Sequence, residues 1–193
     1  MLKKLGLVAL SAVSALAMHT GEININNEDI EVAVKFDMGQ YNSELDVDST
    51  FVGLRYISAE NRHDSDGLIE LSYLMKKPLE AQRDFSVGIG FKLDYSSVGS
   101  NDFLALPLGL EAGYKLPLDS SIVPIYVGAQ FYYAPSVLSF QDSHNYVEFK
   151  VNADIEVIER GLVTVGYRHI DTNYEAADVE FNSAAFIGFK FVF

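Results

Sequence analysis

The sequence predicts an all-β protein: an antiparallel transmembrane β-barrel of ten strands, with eight as the alternative, short periplasmic turns and longer extracellular loops. Three observations predict it. Apolar and polar residues alternate through nearly the whole chain after residue 17. No later apolar run approaches the ~20 residues that a spanning helix needs. Charges on the polar parity balance, although the chain as a whole carries a formal net charge of −13.

The first segment is read as a targeting signal rather than as structure. "MLKKLGLVALSAVSALA" places Lys3 and Lys4 before an apolar run from Leu5 to Ala17 and ends on an A-x-A cleavage pattern. Residues 1–17 are therefore expected to be a cleaved secretory signal peptide, and residues 18–193 one barrel domain. The chain has no Cys, which excludes disulfides, thiolate metal sites and lipid-modified Cys. An export signal on a Cys-free chain points to a Gram-negative envelope. A sheet that spans a bilayer must then close on itself, because lipid offers nothing to unpaired backbone groups.

The strands follow in order. "GEININ" (21–26) is a short first strand turning at Asn27-Glu28. "IEVAVKFDM" puts Ile30, Val32, Val34, Phe36 and Met38 on one face and Glu31, Ala33, Lys35 and Asp37 on the other. Strands near 51–58 and 68–76 come next. "FSVGIGFKLDY" (85–95) and "LALPLGLEAGYKL" (104–116) alternate in the same way, and a strand near 122–133 follows. "VEFKVNADIEV" (147–157), 162–170 and 183–193 complete the set. Segments of roughly 9–13 residues suit tilted membrane strands. Nine strands are clear, and the even number required of bacterial barrels brings in the first. Eight results if the first hairpin lies outside the wall.

The connections carry their own parity. "PLDSS" and "ERG" are tight, whereas "SAENRHDSDG", "SSVGSND", "APSVLSFQDSHN" and "DTNYEAADVEFN" are polar and mostly longer. Placing Phe193 at the periplasmic rim makes all four polar connections extracellular.

A soluble β-sandwich or lipocalin-like barrel also alternates. What separates the two is the polar parity. Its acids are Glu31, Asp37, Glu70, Asp94, Glu111, Glu148, Asp154 and Glu156. Its bases are Lys35, Arg55, Lys76, Lys92, Lys115, Lys150, Arg168 and Lys190. Equal numbers suit a small polar lumen, where an unpaired charge is costly. The excess negative charge belongs to loops. Tyr56, Tyr73, Tyr95, Tyr114, Tyr133 and Tyr167 fall on the apolar parity, where they suit an interfacial girdle.

The chain closes on "AAFIGFKFVF", in which Ile187, Phe189, Phe191 and Phe193 form an apolar comb. Periodicity makes this the lipid face of the last strand. A terminal Phe with alternating aromatics also resembles the recognition signal read by the outer-membrane barrel assembly machinery. That resemblance assigns Phe189, Phe191 and Phe193 a role in membrane assembly.

Chemistry is sparse. His63, Asp64 and Ser65 in "RHDSD", with Asp142, Ser143 and His144 in "FQDSHN", could build a Ser–His–acid arrangement across two loops. The same residues are ordinary turn formers, and no enzyme is expected. Acidic loops could bind Ca²⁺ or Mg²⁺ loosely, but there is no EF-hand-like spacing. Gly88, Gly90, Gly109 and Gly113 alternate in strands with no following helix, so they make no nucleotide cradle. They are expected to relieve crowding inside the barrel. No cofactor is expected, and the acidic charge disfavours nucleic acid.

"GEININNEDIEVAVKFDMGQ", "FYYAPSVLSF", "VTVGYRHIDTNY" and the Phe-rich end together resemble the YfaZ family of Gram-negative outer-membrane proteins. Tyr132-Tyr133-Ala134-Pro135 and Gly166-Tyr167-Arg168 are the most family-like steps. The resemblance implies an outer-membrane barrel and supplies no catalytic set or ligand.

The expected function is that of a structural or interaction barrel in the outer membrane, monomeric, with a lumen closed by ion pairs. The lumen charges are Lys35, Arg55, Glu70, Lys92, Glu111, Lys115, Lys150, Asp154, Arg168 and Lys190. Expected partners are outer-membrane lipid, lipopolysaccharide and, during biogenesis, the assembly machinery. A narrow porin-like channel is the alternative, and a loop-borne lipid-modifying hydrolase or acyltransferase a distant third.

Overall fold

The computed structural model describes residues 19–60, 65–98, 101–118, 123–141, 143–174 and 178–193. The expected signal peptide lies outside the described residues. The strands are β1 (His19–Ile25), β2 (Asp29–Asp37), β3 (Thr50–Glu60), β4 (Ser65–Leu79), β5 (Gln82–Val98), β6 (Asn101–Ala105), β7 (Leu108–Lys115), β8 (Ile125–Ala134), β9 (Ser139–Gln141), β10 (Ser143–Ile158), β11 (Gly161–Tyr174) and β12 (Asp178–Val192).

They form a closed antiparallel barrel of ten staves. β1 pairs with β2 on one side and β12 on the other, which joins the two ends of the chain and removes both sheet edges. The first hairpin is therefore part of the wall, and the eight-strand alternative does not hold. Asn26 makes its turn: its Oδ1 accepts from the backbone N–H groups of Glu28 and Asp29, each at 2.7 Å.

Two staves are each built from two strands, β6 with β7 and β8 with β9. β6 pairs with the far half of β5, and β7 with the near half. Between them the sequence reading expected an unbroken strand over 104–116. The ladder breaks at Leu106-Pro107, because Pro107 has no N–H to donate. Leu106 N–H donates to Leu138 O instead, and Pro107 O accepts from Lys92 N–H. Face parity survives the break, since Phe103, Ala105 and Pro107 are all buried. Beyond it, β9 takes the place of β8 as the neighbour of β6.

The two rims differ. His19 and Phe193 share one, joined by a bond from Phe193 N–H to His19 O; this is the terminal rim. Its turns at Glu80-Ala81 and Glu159-Arg160 are tight, and Arg160 adopts a φ of 62°. Residues 38–49 and 116–124 connect strands on the same rim and are longer. Asp37 organises the first of these, accepting from Gly39 N–H at 2.9 Å and Asp48 N–H at 2.8 Å.

On the opposite rim, much of what the sequence suggested as loop is strand. β3 runs on to Glu60, β5 to Val98 and β11 to Tyr174. The reason is that a ladder of backbone hydrogen bonds needs no apolar face. Pairing therefore continues where the sequence alternation fades.

Facing follows the predicted parity. Leu54, Leu71, Ile89, Phe91, Leu108 and Leu110 point outward and are exposed. Tyr56, Tyr95, Tyr133 and Tyr167 share that outer face. Inside, four glycines sit directly across from large or polar partners: Gly109 from Tyr132, Gly166 from Phe186, Gly188 from Asn24 and Gly128 from Asn152. At Gly109 the Tyr132 ring lies on the backbone where a Cβ would be.

Candidate functional site

Arg55 lies on β3, next to Glu70 on β4, which is in turn next to Asp94 on β5. All three side chains point inward because each lies an even number of residues from its strand's other inward positions. From the opposite wall, Glu148 of β10 meets Arg55 in a two-pronged pair, Nη1–Oε1 at 2.6 Å and Nη2–Oε2 at 3.0 Å. Lys92 Nζ bridges Glu148 at 2.7 Å and Glu70 at 3.1 Å. Arg55 also pairs with Glu70. Tyr146 Oη donates to Glu148 Oε2 at 3.0 Å, and Lys92 sits 4.0 Å above the Tyr132 ring.

A second cluster surrounds Arg168 on β11, which is fully buried. Its Nη2 donates to both carboxylate oxygens of Asp29 at 2.7 Å. Its Nη1 pairs with Glu31, and its Nε donates to Asn182 Oδ1 at 3.2 Å. Asn182 Nδ2 donates in turn to Asp29. Lys150 Nζ continues the chain of contacts to Glu31 and Glu22, each at 3.0 Å. Lys190 joins Asp154 at 2.6 Å and Glu22 at 3.7 Å, and Asp154 also accepts from Thr164 at 2.8 Å.

These clusters lie between two different surroundings. Toward the rim opposite the termini, Ile57, Leu68, Phe103, Ala105, Ala134, Tyr146 and Ile170 form an apolar layer, and the Phe103 and Tyr146 rings stack at 5.5 Å. Toward the terminal rim, the interior opens into a vestibule of about 300 Å³. A void of about 30 Å³ is bounded by Glu31, Arg55, Glu70, Lys92 and Lys150 among others, and the vestibule itself is lined in part by Glu22, Lys150, Asp154 and Lys190 of the second cluster.

Of the ten charges expected in the lumen, Arg55, Glu70, Lys92, Lys150, Asp154 and Arg168 are buried in these clusters, with Lys190 at their edge. Lys35 and Glu111 face the vestibule with a longer separation of 3.8 Å. Glu111 also accepts from Tyr132 Oη at 2.8 Å. Lys115 lies at the mouth, 5.9 Å from the Tyr126 ring centroid. Of the aromatic comb, Phe191 is exposed on the outer face and packs edge-on against Phe189 at 4.3 Å.

Sequence reasoning missed Glu22, Asn24, Asp29 and Asn182. Asp29 shares the parity of Glu31 and could have been found by it, but it stands beside the turn, where alternation gives no warning. Glu22 and Asn24 share the inward parity of the first strand, whose membership of the wall was unsettled.

Oxygens of Glu70, Asp94 and Glu148 lie within 4.8 Å of one another. Arg55 and Lys92 already pair with Glu70 and Glu148. Asp94 is fully buried, and neither of its oxygens has a hydrogen-bond partner among the described residues. Of the loop residues weighed for chemistry, His63, Asp64 and Asp142 lie outside the described residues, as do the side chains of Ser65 and Ser143. His144 is exposed.

A closed ten-stranded barrel, apolar outside and charged within, defines a class of protein consistent with the outer membrane. The chain belongs to the YfaZ family: the family model described as YfaZ precursor matches residues 2–193, nearly the whole chain. A comparison with curated proteins found no match.

Proposed function

We propose that the protein is an integral outer-membrane barrel of structural or interaction type whose lumen does not conduct. The observation that carries this reading is the pair of clusters around Arg55 and Arg168, with Arg168 and Glu148 fully buried. Side chains contributed from opposite walls fill the cross-section, and the apolar layer lies beyond them. Small barrels are commonly filled by their own side chains. A path for hydrated ions would require several buried ion pairs to separate at once, leaving charges unpaired at a cost of several kcal/mol each.

The rest of the reading follows. The outward band of Leu, Ile, Phe and Tyr meets lipid, the rim opposite the termini meets lipopolysaccharide, and the chain is a monomer. Export uses residues 1–17 as a cleaved signal, which the precursor description in the family name supports. The aromatic comb engages the assembly machinery, and no catalytic role is assigned.

Conductance in planar bilayers tests this. Purified protein should insert without producing steady single-channel currents. Reproducible ion-selective steps would replace the closed reading with the narrow channel.

A further inference from the structure

We infer that the vestibule at the terminal rim is a binding site for small anions that carry a phosphate group. Its volume of about 300 Å³ is at the lower end of what small-ligand sites occupy. The bottom is blind, because the ion-paired clusters lie beneath it. What distinguishes it chemically is an uneven distribution of partners among its lysines.

On one side, Lys150 and Lys190 are neutralised by Glu22, Glu31 and Asp154 at 2.6–3.7 Å. On the other, Lys35, Lys76 and Lys115 face Glu111, with Asp84 and Asp48 as the further acids on this side. Lys35 stands 3.8 Å from it, and Glu111 already accepts from Tyr132. The Lys76 ammonium, half-buried on β4, makes no ion pair or hydrogen bond among the described residues, and the acids that act on it at longer range are Glu111 and Asp48. It extends over the inner face of β7, where its Nζ lies within 3.6 Å of the position a Cβ on Gly113 would take. Gly113 and the small Ser86 leave the space above that strand open. Lys115 is exposed at the mouth, 5.9 Å from the Tyr126 ring centroid and in no ion pair among the described residues, and Asp84 also lines this side.

A half-buried ammonium with no carboxylate in contact is costly. In a chain this acidic, a local surplus of lysine is not a general property of the surface. Placed in a concavity with low-dielectric walls, it concentrates anions. Three ammonium groups around one cavity suit a multivalent oxyanion, whose several oxygens accept from several donors. The same chemistry could come from a free phosphorylated solute or from a phospholipid headgroup at the rim. The narrow, blind shape admits either the solute or the headgroup alone.

The test uses the full mature barrel, purified in a non-ionic detergent and titrated calorimetrically with inorganic pyrophosphate. Saturable binding is expected, and Lys76→Met should weaken it about tenfold or more, while Lys76→Arg retains most of it. Lys77→Met is the control, because Lys77 lies on the outer face and carries the same charge. All variants should keep heat-modifiable migration, which reads folding independently of binding. Glycerol phosphate and short-chain phosphatidylglycerol, titrated separately, distinguish solute from headgroup. No saturable binding of pyrophosphate, or equal loss in Lys76→Met and Lys77→Met, would overturn the inference. Either outcome is independent of conductance, so the closed-barrel reading stands or falls separately.

Discussion

Arg168 and Asp29 are 139 positions apart in the chain and meet at 2.7 Å in the barrel interior, both buried. Glu31 completes the charge around the guanidinium, but its position differs from that of Asp29. Glu31 also receives Lys150 at 3.0 Å, whereas Arg168 is the cation of Asp29, whose other contacts are amides of Asn26 and Asn182.

That asymmetry fixes which double variant recovers stability. Arg168→Met should destabilise the barrel by about 3–5 kcal/mol, since it leaves a buried carboxylate uncompensated. Adding Asp29→Asn should restore part of the loss, and adding Glu31→Gln less, because Glu31 keeps Lys150. Urea unfolding followed by heat-modifiable gel migration reads all three. Equal recovery from both second changes would contradict the geometry.

Glu148 should be the more sensitive end of its own cluster. It holds Arg55, Lys92 and Tyr146 at 2.6–3.0 Å. Glu148→Ala strands two buried cations on Glu70 and should cost several kcal/mol. Tyr146→Phe removes one hydrogen bond to a charged group and should cost about 1.5–3 kcal/mol. The same unfolding assay should rank them in that order.

The two faces of one strand should fail for different reasons. Leu108 is exposed on the outer face, so Leu108→Arg should cost ~2–4 kcal/mol if it lies near the bilayer midplane. On parity alone, Gly109→Ser would be the mild change. The structure corrects this, because the Tyr132 ring occupies the place of the new Cβ. Gly109→Ser should also impair folding, and Tyr132→Ala should relieve part of that defect while doing nothing for Leu108→Arg. Refolding yield into detergent separates the two.

Removing Phe193 should separate folding from assembly. In the barrel its backbone makes one bond, to His19 at 2.9 Å, while the register of β1 with β12 runs from Val192 inward. The truncated chain should therefore refold in detergent with nearly normal yield. In cells it should reach the outer membrane poorly if the terminal aromatics act as the proposed assembly signal. Normal heat-modifiable protein in outer-membrane fractions would remove that role from Phe193.

The sequence by itself determined the barrel, the facing of its strands and most of the inward charges, Glu22 and Asp29 excepted. A period of two assigns a face to every residue in a strand wherever one side is apolar, so Leu54 and Arg55, or Phe91 and Lys92, could be separated before any coordinates. The family was legible from "FYYAPSVLSF" and the Phe-rich end. Only the tertiary structure decided who pairs with whom. Periodicity fixes direction within one strand, but Arg55 meets Glu148 and Arg168 meets Asp29 across the lumen, and those meetings depend on strand count, tilt and closure. The same holds for the far hairpins, where alternation fades though the ladder continues, and for Lys76. Its parity was plain from the sequence. That it faces an open cavity without a carboxylate in contact depends on where Gly113, Ser86 and Glu111 stand on the neighbouring staves.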